Sequence, residues 1–101
     1  MSIKLGSIAA NLARTSSFLE NTANLKTVLS ILEESKYLIE WTIVDAPFKT
    51  QILLSEIQPI LALWQRMLSR DLSIENIDAI REKAGLWSLQ LLELSGLLYA
   101  K

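Results

Sequence analysis

Seven apolar residues late in the chain, Ile77, Ile80, Ala84, Trp87, Leu91, Leu94 and Leu98, follow one another in alternating steps of three and four. That is the period of a heptad seam, and only a helix carries all of them on one face. A helix with such a stripe must bury it against another element. No segment alternates with period two in a β-branched context, so no sheet is expected and the partners have to be helices.

The device recurs upstream. Leu53, Ile57, Ile60, Trp64 and Met67 give a second stripe, and Leu25, Val28, Leu32, Ile39 and Ile43 a third. A weaker one, Leu5, Ile8, Leu12 and Leu19, is interrupted by Ser16. Capping signals separate them. Asn21-Thr22-Ala23-Asn24 is rich in capping residues, and Asp45-Ala46-Pro47 puts proline where a first helical turn accepts it. Asp71-Leu72-Ser73 offers Ser73 as an N-cap, with Leu72 and Ile77 placed as a hydrophobic staple. Helices over residues 3–20, 24–44, 47–70 and 73–99 follow. In the third, Ser55, Gln58, Ala62, Gln65, Arg66 and Ser69 read as the solvent face, and Pro59 is expected to kink the helix without ending it.

Short turns between amphipathic helices make neighbours run antiparallel. The expectation is an all-α fold, an up-down-up-down four-helix bundle with a long C-terminal helix, formed by residues 1–101 as a single domain. At the usual rise the fourth helix is about 40 Å long and the first about 27 Å. That mismatch leaves the leucine-rich end of the fourth helix short of intrachain neighbours.

The chain has no histidine and no cysteine. The commonest general base, the commonest metal ligand and the best thiol nucleophile are therefore missing. No catalytic residue, metal or cofactor is expected. Asp71, Glu75, Asp78 and Glu82 share a face of the fourth helix, where acids near a helix start complement its dipole. A net charge of −1 and a pI near 5.4 supply no field for nucleic acid. Ile80 to Leu86 resembles a helix-turn-helix corner at Gly85, but Trp87-Ser88-Leu89-Gln90-Leu91-Leu92-Glu93 offers little to a DNA groove. The seam also keeps its phase through Gly85, which predicts a continuous helix. The N-terminus lacks the apolar run of a signal peptide, and Leu86 to Ala100 falls short of the ~20 residues a bilayer span needs. A cytoplasmic protein away from membranes is expected.

Leu and Ile supply 31 of the 101 residues, more aliphatic surface than a small monomer readily hides. Trp64 and Trp87 lie on their stripes and are expected in the core. Tyr37 and Trp41 lie off the second helix's stripe, and Leu86, Leu89 and Leu97 lie opposite the fourth helix's seam. These five form the candidate partner surface. The sequence therefore points to a non-catalytic protein–protein interaction module: an adaptor, regulator or assembly subunit, working as a homodimer or with another protein. Two other readings are a small DNA-binding regulator that turns at Gly85 and a carrier of an apolar ligand in the bundle core.

Overall fold

Every break read from the capping residues coincides with a helix end. The computed structural model describes residues 2–70 and 73–95, which form α1 (Ser2–Phe18), α2 (Leu25–Ile43), α3 (Phe48–Arg70) and α4 (Ile74–Ser95), with no strand among the described residues. A single 3-10 turn, Thr22–Asn24, joins α1 to α2. The Asn21 side chain accepts the Ala23 N–H at 2.9 Å, and the Asn24 amide donates to the Phe18 carbonyl at 3.2 Å. Asn24 thus closes the end of α1 and makes no side-chain cap on α2. The Ser73 hydroxyl accepts the Asn76 N–H at 3.3 Å, the N-cap bond expected of it. Leu72, its proposed staple partner, lies outside the described residues.

Two helices pass through residues that often end them. α3 continues through Pro59, and α4 continues through Gly85. The corner that a DNA-binding reading places at Gly85 is therefore absent. The described part of α4 has 22 residues against 23 in α3, so the long C-terminal helix and its overhang are not seen among the described residues.

The buried seams are more regular than the apolar pattern suggests, because hydroxyl residues complete them. In α1, Leu5, Ile8, Leu12 and Thr15 are buried, with Leu19 just past its end, and in α2, Val28, Ile31, Leu32, Ser35, Ile39 and Thr42. Thr15, Ser35 and Thr42 donate to the carbonyls of Asn11, Ile31 and Leu38 one turn back, at 2.9, 2.8 and 2.6 Å. A hydroxyl satisfied within its own helix can occupy a core position without the cost of an orphaned polar group. No buried side-chain N or O among the described residues lacks a partner.

The α3 seam departs from expectation. Its buried residues are Thr50, Leu54, Ile57, Leu61, Trp64 and Leu68, whereas Leu53, Ile60 and Met67 are half-buried. The helix is rotated so that the predicted stripe faces partly toward α4. Gln58, Ala62 and Gln65, expected in solvent, are half-buried instead. The reason is specific hydrogen bonding. Gln51, Gln58 and Gln65 recur every heptad, and their amides donate to the α2 carbonyls of Ile43, Lys36 and Leu29 at 2.9, 3.4 and 3.4 Å. Gln58 and Gln65 also reach the Glu40 and Glu33 carboxylates at 3.2 and 2.9 Å.

A matching register joins α1 to α4. The Ser88 hydroxyl donates to the Ala9 carbonyl at 2.8 Å and, one heptad away, Ser16 donates to the Arg81 carbonyl at 3.0 Å. In both pairs of helices the partner number falls on one helix as it rises on the other. Asn11 and Glu34, 3.4 Å apart, link α1 to α2, and Arg14 also donates to the Asn11 side chain. Contact is most extensive between α1 and α4, substantial for α1 with α2 and α2 with α3, and slight between α3 and α4.

Two outcomes follow. A Cβ on Gly85 would meet only the Ser16 Oγ, at an ordinary 3.7 Å. Gly85→Ala should therefore stabilise the protein by about 0.5–1 kcal/mol through helix propensity, measurable by urea unfolding. On α2, the Gln65 amide and then the Lys36 ammonium hold the Glu33 carboxyl below the ordinary glutamate range. With the folded-state pKa depressed, the stabilisation is present above the unfolded value near 4.5 and is lost as pH falls through the folded one. Gln65→Ala should move the Glu33 titration, followed by NMR, upward toward that value.

Candidate functional site

The slight α3–α4 contact has a cause in side-chain size. Where α1 meets α4, Ala9, Ser16, Ala84, Gly85 and Ser88 let the backbones approach closely. Where α3 meets α4, Trp64 and Trp87 stand between them. Both indoles are 5% exposed, and their ring centroids lie 5.4 Å apart with planes tilted by 31°. That is a favourable aromatic pair, and its bulk spaces the two helices. Both were expected in the core and are there.

The spacing opens a groove floored by the two rings. A recess of about 590 Å³ lies over them, with Ile60 and Met67 on the α3 wall and Ala79 and Ile80 on the α4 wall. Toward one end a second recess of about 450 Å³ is lined by Leu53, Gln90, Glu93 and Leu94. Toward the other, Met67 leads into a third of about 380 Å³, lined also by Leu63, Arg66, Arg70 and Asn76. Leu94 was expected in the α4 seam but is exposed. A strict heptad stripe drifts by about 20° per repeat around a straight helix, which by Leu94 has turned it to the groove edge.

Charge is unevenly spread along this groove. Glu56 and Lys83 flank the central recess, and the Lys83 ammonium sits 5.1 Å from the centre of the Trp87 ring. Glu93 lies at one end, Arg66 and Arg70 at the other. Asp78 pairs with Arg81 at 3.6 Å, and among the described residues no three or more metal-binding side chains cluster. Asp71 lies outside the described residues.

The surface expected from the sequence is exposed but divided. Tyr37 and Trp41 on α2 are 62% and 66% exposed, with the Lys4 ammonium 4.7 Å from the centre of the Trp41 ring. Leu86 and Leu89 on α4 are also exposed. α2 and α4 each pack on α1 and make no substantial contact with each other, so the two groups remain on separate helices. Leu97 lies outside the described residues. Sequence reading missed Val44, Phe48, Ile52 and Leu63, all exposed, together with the groove itself. A signal was available: α3 carries apolar residues at 52, 53, 54, 60, 61 and 63, too wide an arc for one buried stripe.

The chain matches no known family model, and comparison with curated protein sequences and with solved structures finds no match.

Trp64→Ala or Trp87→Ala should each cost about 3–5 kcal/mol, from lost burial and the cavity left behind. Against a typical domain stability of about 5–15 kcal/mol, thermal unfolding should register a severe loss. A variant that unfolds like the parent would show that the indole pair does not hold α3 and α4 in place.

Proposed function

We propose that this chain is a non-catalytic protein–protein interaction module, an adaptor, regulator or assembly subunit that acts as a homodimer in the cytoplasm. The observation that carries this reading is the groove between α3 and α4, whose central recess has an apolar floor and is lined mostly by apolar side chains between the flanking Glu56 and Lys83, although the helices on either side pack closely elsewhere. A groove lined by Ile60, Met67, Trp64 and Trp87 presents the kind of surface that a partner helix covers. The exposed Tyr37, Trp41, Phe48, Leu86 and Leu89 add apolar area beyond it.

The architecture belonging to this reading is an antiparallel up-down-up-down bundle, in chain order α1 to α4. The opposed numbering of the Ser16–Arg81 and Ala9–Ser88 bonds, and of the glutamines against α2, supports it. The lack of histidine and cysteine supports a binding role over catalysis. No helix among the described residues is long and apolar enough to cross a membrane. The carrier reading is favoured by one observation: the central recess of about 590 Å³ is of small-molecule size.

Light scattering at tens of micromolar should give twice the 11.4 kDa chain mass. A monomer at that concentration refutes the homodimer. Binding of an apolar fluorescent probe by a monomer would then favour the carrier.

A further inference from the structure

We infer that a second copy of this chain docks in the α3–α4 groove turned end for end, so that Arg66 and Arg70 of each copy stand beside Glu56 and Glu93 of the other. This rests on the self-association proposed above and adds to it the surface and the orientation.

Charge selects the orientation. Arg66 and Arg70 lie at one end of the groove, Glu93 lies at the other, and Glu56 flanks the central recess. All four side chains are exposed, and none is engaged in an ion pair or hydrogen bond among the described residues. A copy laid in the same direction sets arginine on arginine and glutamate on glutamate. A copy turned end for end places opposite charges together at both ends, as a two-fold axis across the groove's midpoint requires. Like charges placed in contact are disfavoured at an interface, and the first arrangement sets them together at both ends, whereas the second brings only Lys83, whose ammonium lies over the Trp87 ring, toward its own copy at the midpoint.

The apolar surface fits the same geometry. Ile60 and Met67 are half-buried, and the exposed Leu63 and Leu94 line the recesses toward either end. These side chains are what a second copy would cover, while Trp64 and Trp87 beneath are already packed. Two helices side by side, each about 10 Å across, span a face approaching the ~800 Å² per partner of a standard stable interface. The molecule is 37 Å long, enough for such a face to run its length.

The test is a charge exchange. One variant carries Arg66→Glu with Arg70→Glu, the other Glu56→Lys with Glu93→Lys. Because all four positions are exposed, circular dichroism should show parental helicity in both. Each variant alone should self-associate at least about tenfold more weakly than the parent, and an equimolar mixture should recover a dimer of parental strength, since both ends are then complementary. An independent measurement uses the absence of cysteine from the chain. Lys83→Cys, near the groove's midpoint, should form an intermolecular disulfide under mild oxidation, and Tyr37→Cys should not. Variants that dimerise as well as the parent overturn the docking surface and leave self-association standing. Dissociated variants that fail to pair when mixed overturn the charge complementarity of the groove. Orientation is read from Asn76→Cys mixed with Gln90→Cys, which line opposite ends of the groove one heptad either side of Lys83: a disulfide joining the two variants is expected, and disulfides only within each variant overturn the end-for-end orientation. A monomeric parent overturns both.

Discussion

The close approach of α1 and α4 is the constraint on which the rest of the bundle depends. It is made possible by Ala9, Ser16, Ala84, Gly85 and Ser88, and it is fixed in register by the reciprocal Ser88–Ala9 and Ser16–Arg81 bonds. Each such bond contributes a net ~1 kcal/mol. Their larger effect is on register, because sliding one helix along the other would give up both cross-helix bonds and leave each hydroxyl only a carbonyl of its own helix. With α4 held this way, Trp87 faces α3 and Leu86 faces outward. The bundle is therefore built as a run of tight pairs, α4 on α1, α1 on α2 and α2 on α3. The remaining edge is left to the largest side chains in the chain.

The second tight edge works by a different device. Gln58 and Gln65 each reach a carbonyl inside α2, using its second lone pair, and Gln51 reaches the last carbonyl of α2, that of Ile43, which also accepts the Ala46 N–H of the following turn. A heptad of amides facing a heptad of carbonyls sets both the rotation and the register of α3. Hydrophobic matching alone would accept several rotations of a helix whose apolar arc is this wide. The glutamines select one, and by turning α3 toward α2 they leave Ile60 and Met67 at the lip of the opposite groove. Polar side chains at one interface thus determine which apolar ones are exposed at another.

This explains what could be read from the sequence and what could not. Helix number and the three breaks between helices were legible because caps and proline act locally: Ser73, Pro47 and the Asn21–Asn24 run mark ends through their own backbone geometry. The seams of α1, α2 and α4 were legible in phase but incomplete, since Thr15, Ser35, Thr42 and Ser88 are invisible to a hydrophobic pattern until their acceptors are known. The phase of α3 was misread for the converse reason. Gln58 and Gln65 read as solvent-facing in the sequence, and nothing local to α3 indicates that α2 would supply acceptors. Tyr37, Trp41, Leu86 and Leu89 were correctly placed off the stripes. The groove was hidden because it depends on two helices distant in sequence and on the size of one ring pair.

The arrangement of the three tryptophans also makes this chain report on itself optically. Trp64 and Trp87 are close and tilted, so their transitions couple and give a near-ultraviolet signature that exists only while α3 and α4 are docked. Trp41 stands apart in solvent with an ammonium over its face, an emitter open to aqueous quenchers. One spectrum follows the closing of the bundle's loosest edge, and the other follows its outer surface. Loosening of the α3–α4 edge can therefore be told from local change around α2 without attaching any dye.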